Sequence, residues 1–478
     1  MLFSETKLHD YLSKLNVYEW NQFLKYLASP LHNKNNEILD FCQWLSGFYK
    51  NEKAHKLTKT EVWKALYKTK AYNDLRFRRV CSDTLALVED FFAYLQYRKE
   101  PNQKWAFVLA AMNERDLGKY FPANYAYIER IQEKDQAIDS YDYWLSYFTA
   151  LQKASYLEKE SSRLSDKNIR ETVSKLDDYY LIMKLRFYAA QLHYQQISVV
   201  REDDLLMQDI LNYLQKHSIS HNPIANIYYH IIGTFEHKTE PAYYHKLKAL
   251  LLKHSSGIAH EVSRDMYAFA LNYCIRQINT GNIDYQQEIF ELYEKMLDER
   301  LLFDKDELSP FDFKNIITIA LRIKQFKWTE KFIATYHSTL PKEHQANALS
   351  FNTARLHFAK QEYQKVLPLL QDVEYSDVFY MLDSKTTLFK TYFELNEYDA
   401  LLSLAESFRV LLSRKKIISE QHRNNYTNFI RIALKIFRAE HKNKKQLAQI
   451  ADFFQEAKGI ADKGWLLEKY KAIGGEAL

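Results

Sequence analysis

Seven of the 16 histidines fall in one short stretch: His217, His221, His230, His237, His245, His254 and His260. Imidazole carries protons and binds metals. His217 and His221 stand four apart, a spacing that on one helix face could hold a single ion. Yet Ser218, Ser220, Asn222 and Pro223 spell a loop there. No cysteine or well-spaced carboxylate completes a ligand set, so surface and interface histidines are expected, with no metal and no other cofactor. Glu288, Glu291, Glu294 and Asp298 form a second cluster, at spacings of 3, 3 and 4. Paired acids do general acid–base work only in a cleft that drives their pKa values apart. Nothing around these four predicts such a cleft. A solvated helix face is expected, with electrostatic docking as the alternative.

The wider search for chemistry is negative at the level of sequence. H-E-x-x-H, G-x-x-x-x-G-K-[ST], G-x-S-x-G and G-x-G-x-x-G are all absent. The three cysteines, Cys42, Cys81 and Cys274, are too few and too scattered for a disulfide framework or a zinc knuckle. The expectation is a protein that is not an enzyme.

Cations give the sharpest pattern. Arg431, Lys435, Arg438, Lys442 and Lys445 follow spacings of 4, 3, 4 and 3. They share one stripe if a helix continues through Asn443, and they are the candidate docking surface. Segment 409–445 holds 11 basic and 2 acidic residues, and segment 53–79 holds 9 basic and 2 acidic. The second is interleaved with Trp63, Tyr67, Tyr72 and Phe77. Such interleaving can stack bases, but the rings recur at helical spacing, so core packing is the expectation. Segment 284–308 is opposite in sign, with 9 acidic and 3 basic residues. The net charge of the whole chain is only +5, so these local asymmetries, rather than the total, would steer a partner.

The elements that carry these residues follow from composition and period. Glycine numbers 9 and proline 8 among 478 residues, about 4% against roughly 12% in average usage. Folds built on many tight turns or phosphate loops need glycine where φ is positive, and are excluded. Hydrophobic residues are 47%, enough for a large core, and they recur three and four apart. The fold class is therefore all-α. In the N-terminal part, helices are expected near 4–15, 18–28, 36–49, 60–69 and 74–98, with Thr58 and Glu61 forming a capping box before the fourth. Farther on, Tyr141, Tyr143, Trp144, Tyr147 and Phe148 crowd one stretch, read as packing between helices.

From 222 onward the helices come in pairs: 222–235 with 241–253, 261–279 with 284–300, 311–324 with 328–339, 344–360 with 363–371, 377–395 with 398–412, and 418–440 with 443–457. Tyr243, Tyr285, Trp328, Tyr363 and Tyr398 open the second helix of the first five pairs. Leu247, Ile289, Phe332, Leu367 and Leu402 follow four residues later, on the same helix face. The spacing of 35 between the last three aromatics, with sequences such as Gln361-Glu362-Tyr363 and Asn396-Glu397-Tyr398, resembles the tetratricopeptide repeat. That family places glycine nine residues before the aromatic. Here the position holds Ile319, Ala354 and Phe389, so the family's peptide groove cannot be carried over residue by residue. The resemblance implies an α-solenoid of antiparallel helix pairs that presents a surface to a protein partner.

Residues 29–35 (Ser-Pro-Leu-His-Asn-Lys-Asn) and 71–76 (Ala-Tyr-Asn-Asp-Leu-Arg) resemble the start of uncharacterised bacterial helical-repeat proteins, which implies no function. The expected organisation is an N-terminal helical unit at 1–100, a tyrosine-rich long-helix region at 101–220, and a helix-pair array at 221–478. The expected function is a non-catalytic interaction scaffold or adaptor. The alternative is a nucleic-acid-associated regulator that uses 53–79 and 409–445. The partner is expected to be a protein of unknown identity, an acidic protein or nucleic acid at the basic surfaces, or a second copy of the chain. No segment reads as a signal peptide or membrane span, and few cysteines fit a reducing compartment, so a cytoplasmic location is expected.

Overall fold

A computed structural model describes residues 2–51, 56–68, 71–99, 101–132, 138–160, 165–195, 205–217, 219–371, 378–414 and 417–476. Ser218 lies outside them, as do parts of both basic stretches (53–55, 69, 70, 415 and 416). The described residues form twenty-three α-helices and one two-stranded hairpin, so the chain is all-α. It divides into two compact units, Met1–Arg186 and Phe187–Leu478.

The first unit contains α1 (Lys7–Leu12), α2 (Val17–Leu27), α3 (Asn36–Tyr49), α4 (Lys59–Tyr67), α5 (Asp74–Lys99), α6 (Pro101–Glu114), α7 (Phe121–Gln132), α8 (Ser140–Lys159) and most of α9 (Asp166–Gln195). Their starts are written in capping chemistry. Asn16 with Glu19, Thr58 with Glu61 and Asp139 with Asp142 each form a reciprocal box that satisfies free N–H groups. A continuous core joins Phe3, Trp20, Phe23, Phe41, Trp63, Phe77 and Phe91. The two N-terminal motifs are structural in this unit. Asn33 is buried, and its amide donates to the Leu27 and Asn35 carbonyls at 3.1 and 3.0 Å, which holds the α2–α3 turn. Asn73 accepts from the Arg76 N–H at 2.9 Å and so caps the start of α5.

The second unit contains the end of α9, then α10 (Leu205–Lys216), α11 (Pro223–Glu236), α12 (Pro241–His254), α13 (His260–Asn279), α14 (Tyr285–Asp298), α15 (Pro310–Arg322), α16 (Phe326–Tyr336), α17 (Lys342–Ala359), α18 (Tyr363–Gln371), α19 (Val378–Glu394), α20 (Tyr398–Arg414), α21 (Glu420–Arg438), α22 (Lys444–Glu456) and α23 (Lys463–Ala472). Proline opens α11, α12 and α15, where its missing N–H costs nothing. The helix pairs fall where the apolar period puts them.

The turns inside the pairs repeat. Gly281, Lys324, Gln361 and Asn396 each adopt positive φ, at 103°, 60°, 62° and 58°. The next residue's N–H reaches back to the last turn of the preceding helix: Asn282 to Gln277, Gln325 to Ala320, Glu362 to His357 and Glu397 to Tyr392, at 2.8–3.0 Å. This is the Schellman termination, which satisfies helix-end carbonyls. Only one of the four positions is glycine.

A feature without a sequence signal lies between α14 and α15. There β1 (Phe303–Asp304) pairs antiparallel with β2 (Glu307–Leu308). Lys305 and Asp306 supply the turn at φ 46° and 71°. A turn of this kind usually selects Asn-Gly or Asp-Gly, which is why nothing announces it here. At the far end, one core runs from Leu382 and Phe389 through Phe408 and Phe429 to Leu466 and Tyr470.

Candidate functional site

The candidate cation stripe does not form as one helical line. Arg431, Lys435 and Arg438 lie on α21, which stops at Arg438. Lys442 sits in the following turn at φ 60°, and Lys445 belongs to α22. The physical reason is a cap: Asn443 accepts from the Gln446 N–H at 3.3 Å and starts α22. Arg431 and Lys435 lie over the ring of Phe453 at 3.9 and 4.6 Å. They therefore glue α21 to α22 by cation–π attraction. Arg438, Lys442 and Lys445 are exposed. None of the five cations makes an ion pair among the described residues.

In the first basic stretch three of the rings, and two of the cations, serve structure, while Lys56, Lys64, Lys68 and Arg79 are exposed. Trp63, Tyr67 and Phe77 are buried in the N-terminal core, which leaves only Tyr72 exposed among its four rings. Arg76 stacks on Tyr67 at 4.4 Å and pairs with Glu37 at 3.4 Å, and Arg78 pairs with Asp74 at 2.8 Å. In the tyrosine-rich stretch, Trp144 stacks on Phe148 at 5.4 Å, and Phe148 meets Phe107 of α6 at 6.0 Å. That is packing between helices.

The acidic series on α14 is not a free face. Lys248 of α12 donates to both Glu288 and Glu291 at 2.6 Å, and the Tyr244 hydroxyl donates to Glu288 at 2.8 Å. Hydrogen bonds from Lys248 and from the Gln287 amide lower the pKa of Glu291, whereas burial raises that of Glu294. Asp298 alone of the four is fully exposed. Half of the stripe is thus a clamp between neighbouring pairs.

The histidines disperse as well. His217 stacks on Tyr213 at 4.4 Å beyond the end of α10, and His221 lies in the loop before α11. Among the described residues no group of histidine, cysteine and acid side chains is placed to hold a metal. Burial keeps the thiols protonated: the pKa values of Cys81 and Cys274 are pushed up to about 12, and that of Cys42 higher still.

The five aromatics stand where the helix-pair pattern puts them, but their rings do not share one role. Trp328 meets Phe290 of the preceding pair at 4.8 Å. Tyr363 meets Phe358 of its own pair at 5.3 Å, and Tyr398 faces Phe437 of the next at 6.0 Å. Trp328, Tyr363 and Tyr398 thus pack on the preceding pair, their own pair and the next pair respectively.

What the sequence did not single out is a cleft of about 1340 Å³ within the second unit. Its walls come from the last turns of α9, α11 and α13, with Gln208 of α10 and Tyr285 at the start of α14. Arg276, near the end of α13, forms part of the wall. Its guanidinium lies 4.7 Å from the ring centre of Phe235 and 5.7 Å from that of Tyr273. Tyr273 is itself fixed by a stacked Tyr244 at 4.8 Å and an edge-on Tyr285 at 5.7 Å. Arg276 makes no ion pair among the described residues, and its Nη2 is shielded without a hydrogen-bond partner. Desolvation lowers its pKa, opposed only by the neighbouring Tyr273 and Cys274. Glu236 also lines the cleft, but it accepts the Tyr188 hydroxyl at 3.0 Å. Carboxamides of Gln195, Gln208, Gln277 and Asn282 supply further polar lining.

A second buried cation, Arg355 of α17, lies deeper in the array. It donates to the Thr318 hydroxyl of α15 at 3.0 Å and lies 5.6 Å from the Phe351 ring. Beside it, Asp383 of α19 pairs with Lys314 and accepts the Tyr426 hydroxyl at 3.3 Å, while Lys390 pairs with Asp462 at 2.6 Å. These polar contacts link α15, α17, α19 and α21.

No protein-family model, curated protein or solved structure matches this chain. No helix among the described residues is long and apolar enough to cross a membrane.

Proposed function

We propose that the chain is a non-catalytic protein–protein interaction scaffold, a tetratricopeptide-like array whose serial helix pairs offer a surface to a protein partner. The observation that supports this most is recurrence. From α13 to α20 the same module of helix, left-handed turn and aromatic-led helix is used four times. A helix pair buries its apolar face only against its neighbours, so repetition extends a surface without requiring a reaction centre. The clamp between neighbouring pairs, Lys248 on Glu288 and Glu291, fits that design.

The test is quantitative affinity purification of the full chain from its native host. It compares wild type with a triple reversal, Arg438→Glu, Lys442→Glu and Lys445→Glu. These three are chosen because Arg431 and Lys435 also support packing. A defined partner recovered by wild type at mild salt and depleted in the reversal fits the proposal. No partner above background under the same conditions removes its support.

A second reading, nucleic-acid association, is favoured by one observation: the six lysines and arginines between 431 and 445, Lys444 included, lack acidic partners among the described residues. It requires log affinity to fall linearly with log salt as counterions are released. Absence of a gel shift at about 50 mM salt eliminates it.

A further inference from the structure

Arg276 is the cation in the second unit whose surroundings are least explained by folding alone. A guanidinium taken out of water demands compensation. Phe235 and Tyr273 compensate only partly through their ring faces. A carboxylate would do far more, yet none is paired with it among the described residues. The one acid in the cleft wall, Glu236, is engaged by Tyr188. The charge is therefore held beside a large cavity by two rings, in a site that a compact anion would complete. With Nη2 enclosed, the guanidinium offers its charge and remaining N–H groups to a carboxylate or phosphate oxygen. Phe235 and Tyr273 are buried with their faces taken by Arg276 and Tyr244, but the half-buried rings of Tyr285 and Tyr188 also line the cleft and suit a flat ring, and about 1340 Å³ leaves room for one.

We propose that this cleft binds a small-molecule oxyanion, a carboxylate or phosphate carried on a flat ring, with Arg276 as its counter-ion. The site stands independently of the scaffold reading, because it needs no protein partner.

The test is isothermal titration of the full chain at matched ionic strength with phenyl phosphate, benzoate and uncharged benzyl alcohol. At least one anion is expected to bind, and benzyl alcohol at least about tenfold more weakly. The stronger of the two anions identifies the headgroup. Arg276→Met is expected to lose that affinity about tenfold or more, and Arg276→Lys to retain part of it. Thermal unfolding supplies a separate readout. Without ligand, Arg276→Met is expected to melt about 2–4 °C above wild type, because an uncompensated charge has been replaced by an apolar stem. No binding of either anion overturns the proposal, as does equal binding of benzyl alcohol. So does anion affinity unchanged in Arg276→Met, or a melting point lowered by that substitution, which would make the arginine a structural group.

Discussion

The ring of Tyr243 lies directly on the backbone of Gly233. A Cβ placed on that glycine would come within 2.0 Å of the tyrosine Cδ1. Gly233 is in the last turn of α11 and Tyr243 in the first turn of α12, so this contact sets how the pair closes. Gly233→Ala gains about 1 kcal/mol of helix propensity. It also forces a ring held between His230 and His237 to move, an overpacking cost of about 1–3 kcal/mol. The expected result is net destabilisation in urea unfolding. Tyr243→Leu should remove the clash, so that Gly233→Ala costs less in that background, a coupling that a double-mutant cycle measures.

The left-handed turns predict gains. Lys324 and Gln361 hold positive φ with a Cβ that resists it. Glycine adopts this conformation freely. Lys324→Gly and Gln361→Gly should each stabilise the chain by about 0.5–1 kcal/mol, less whatever entropy glycine adds to the unfolded state. Asn396→Gly should gain least, because asparagine already tolerates this region. Denaturant midpoints of the three variants check both the sign and the order.

These cases show what the sequence could and could not reveal. Helix positions were legible because burial imposes a period of three and four. The start of α22 was also legible, in Asn443 as its cap accepting from the Gln446 N–H, and it conflicts with a cation stripe drawn through that residue. The left-handed turns were not, because lysine and glutamine carry no signal for positive φ. Arg276 carries no signal in the sequence beyond a basic side chain near a helix end. Only the packing of α11 on α13 brings Phe235 over it and encloses the cleft.

Glu394 anchors the last helix to the array. It accepts from the Trp465 indole N–H at 2.9 Å and pairs with Lys469 at 2.7 Å, with both partners on α23. The acid and the lysine are nearly buried, at 13% and 17% side-chain exposure. Glu394→Ala leaves Lys469 only the exposed Glu468 at 3.3 Å and strands the indole donor, and should cost about 1–3 kcal/mol. Glu394→Ala with Lys469→Met should recover part of that loss, because the nearly buried cation goes with its nearly buried partner and Glu468 stays in water. Urea unfolding of the single and double variants measures the difference.

His230 should make the second unit sensitive to mild acid. It is packed against Tyr229 and Tyr243 beside the positive charge of Lys246, its Nδ1 has no partner, and burial pushes its pKa from 6.5 down to about 4. Between those values the unfolded chain binds the proton and the native state refuses it, so unfolding takes up protons. Stability is fully present above pH 6.5, falls as pH drops toward 4, and loses nothing more from this group below that. The shift corresponds to about 3 kcal/mol across the window. His230→Phe cannot take up the proton, so its stability should decline less between pH 7 and 4.5 even if its starting value is lower. Urea midpoints of both proteins across this range test the claim, and parallel curves would show that His230 is not the group responsible.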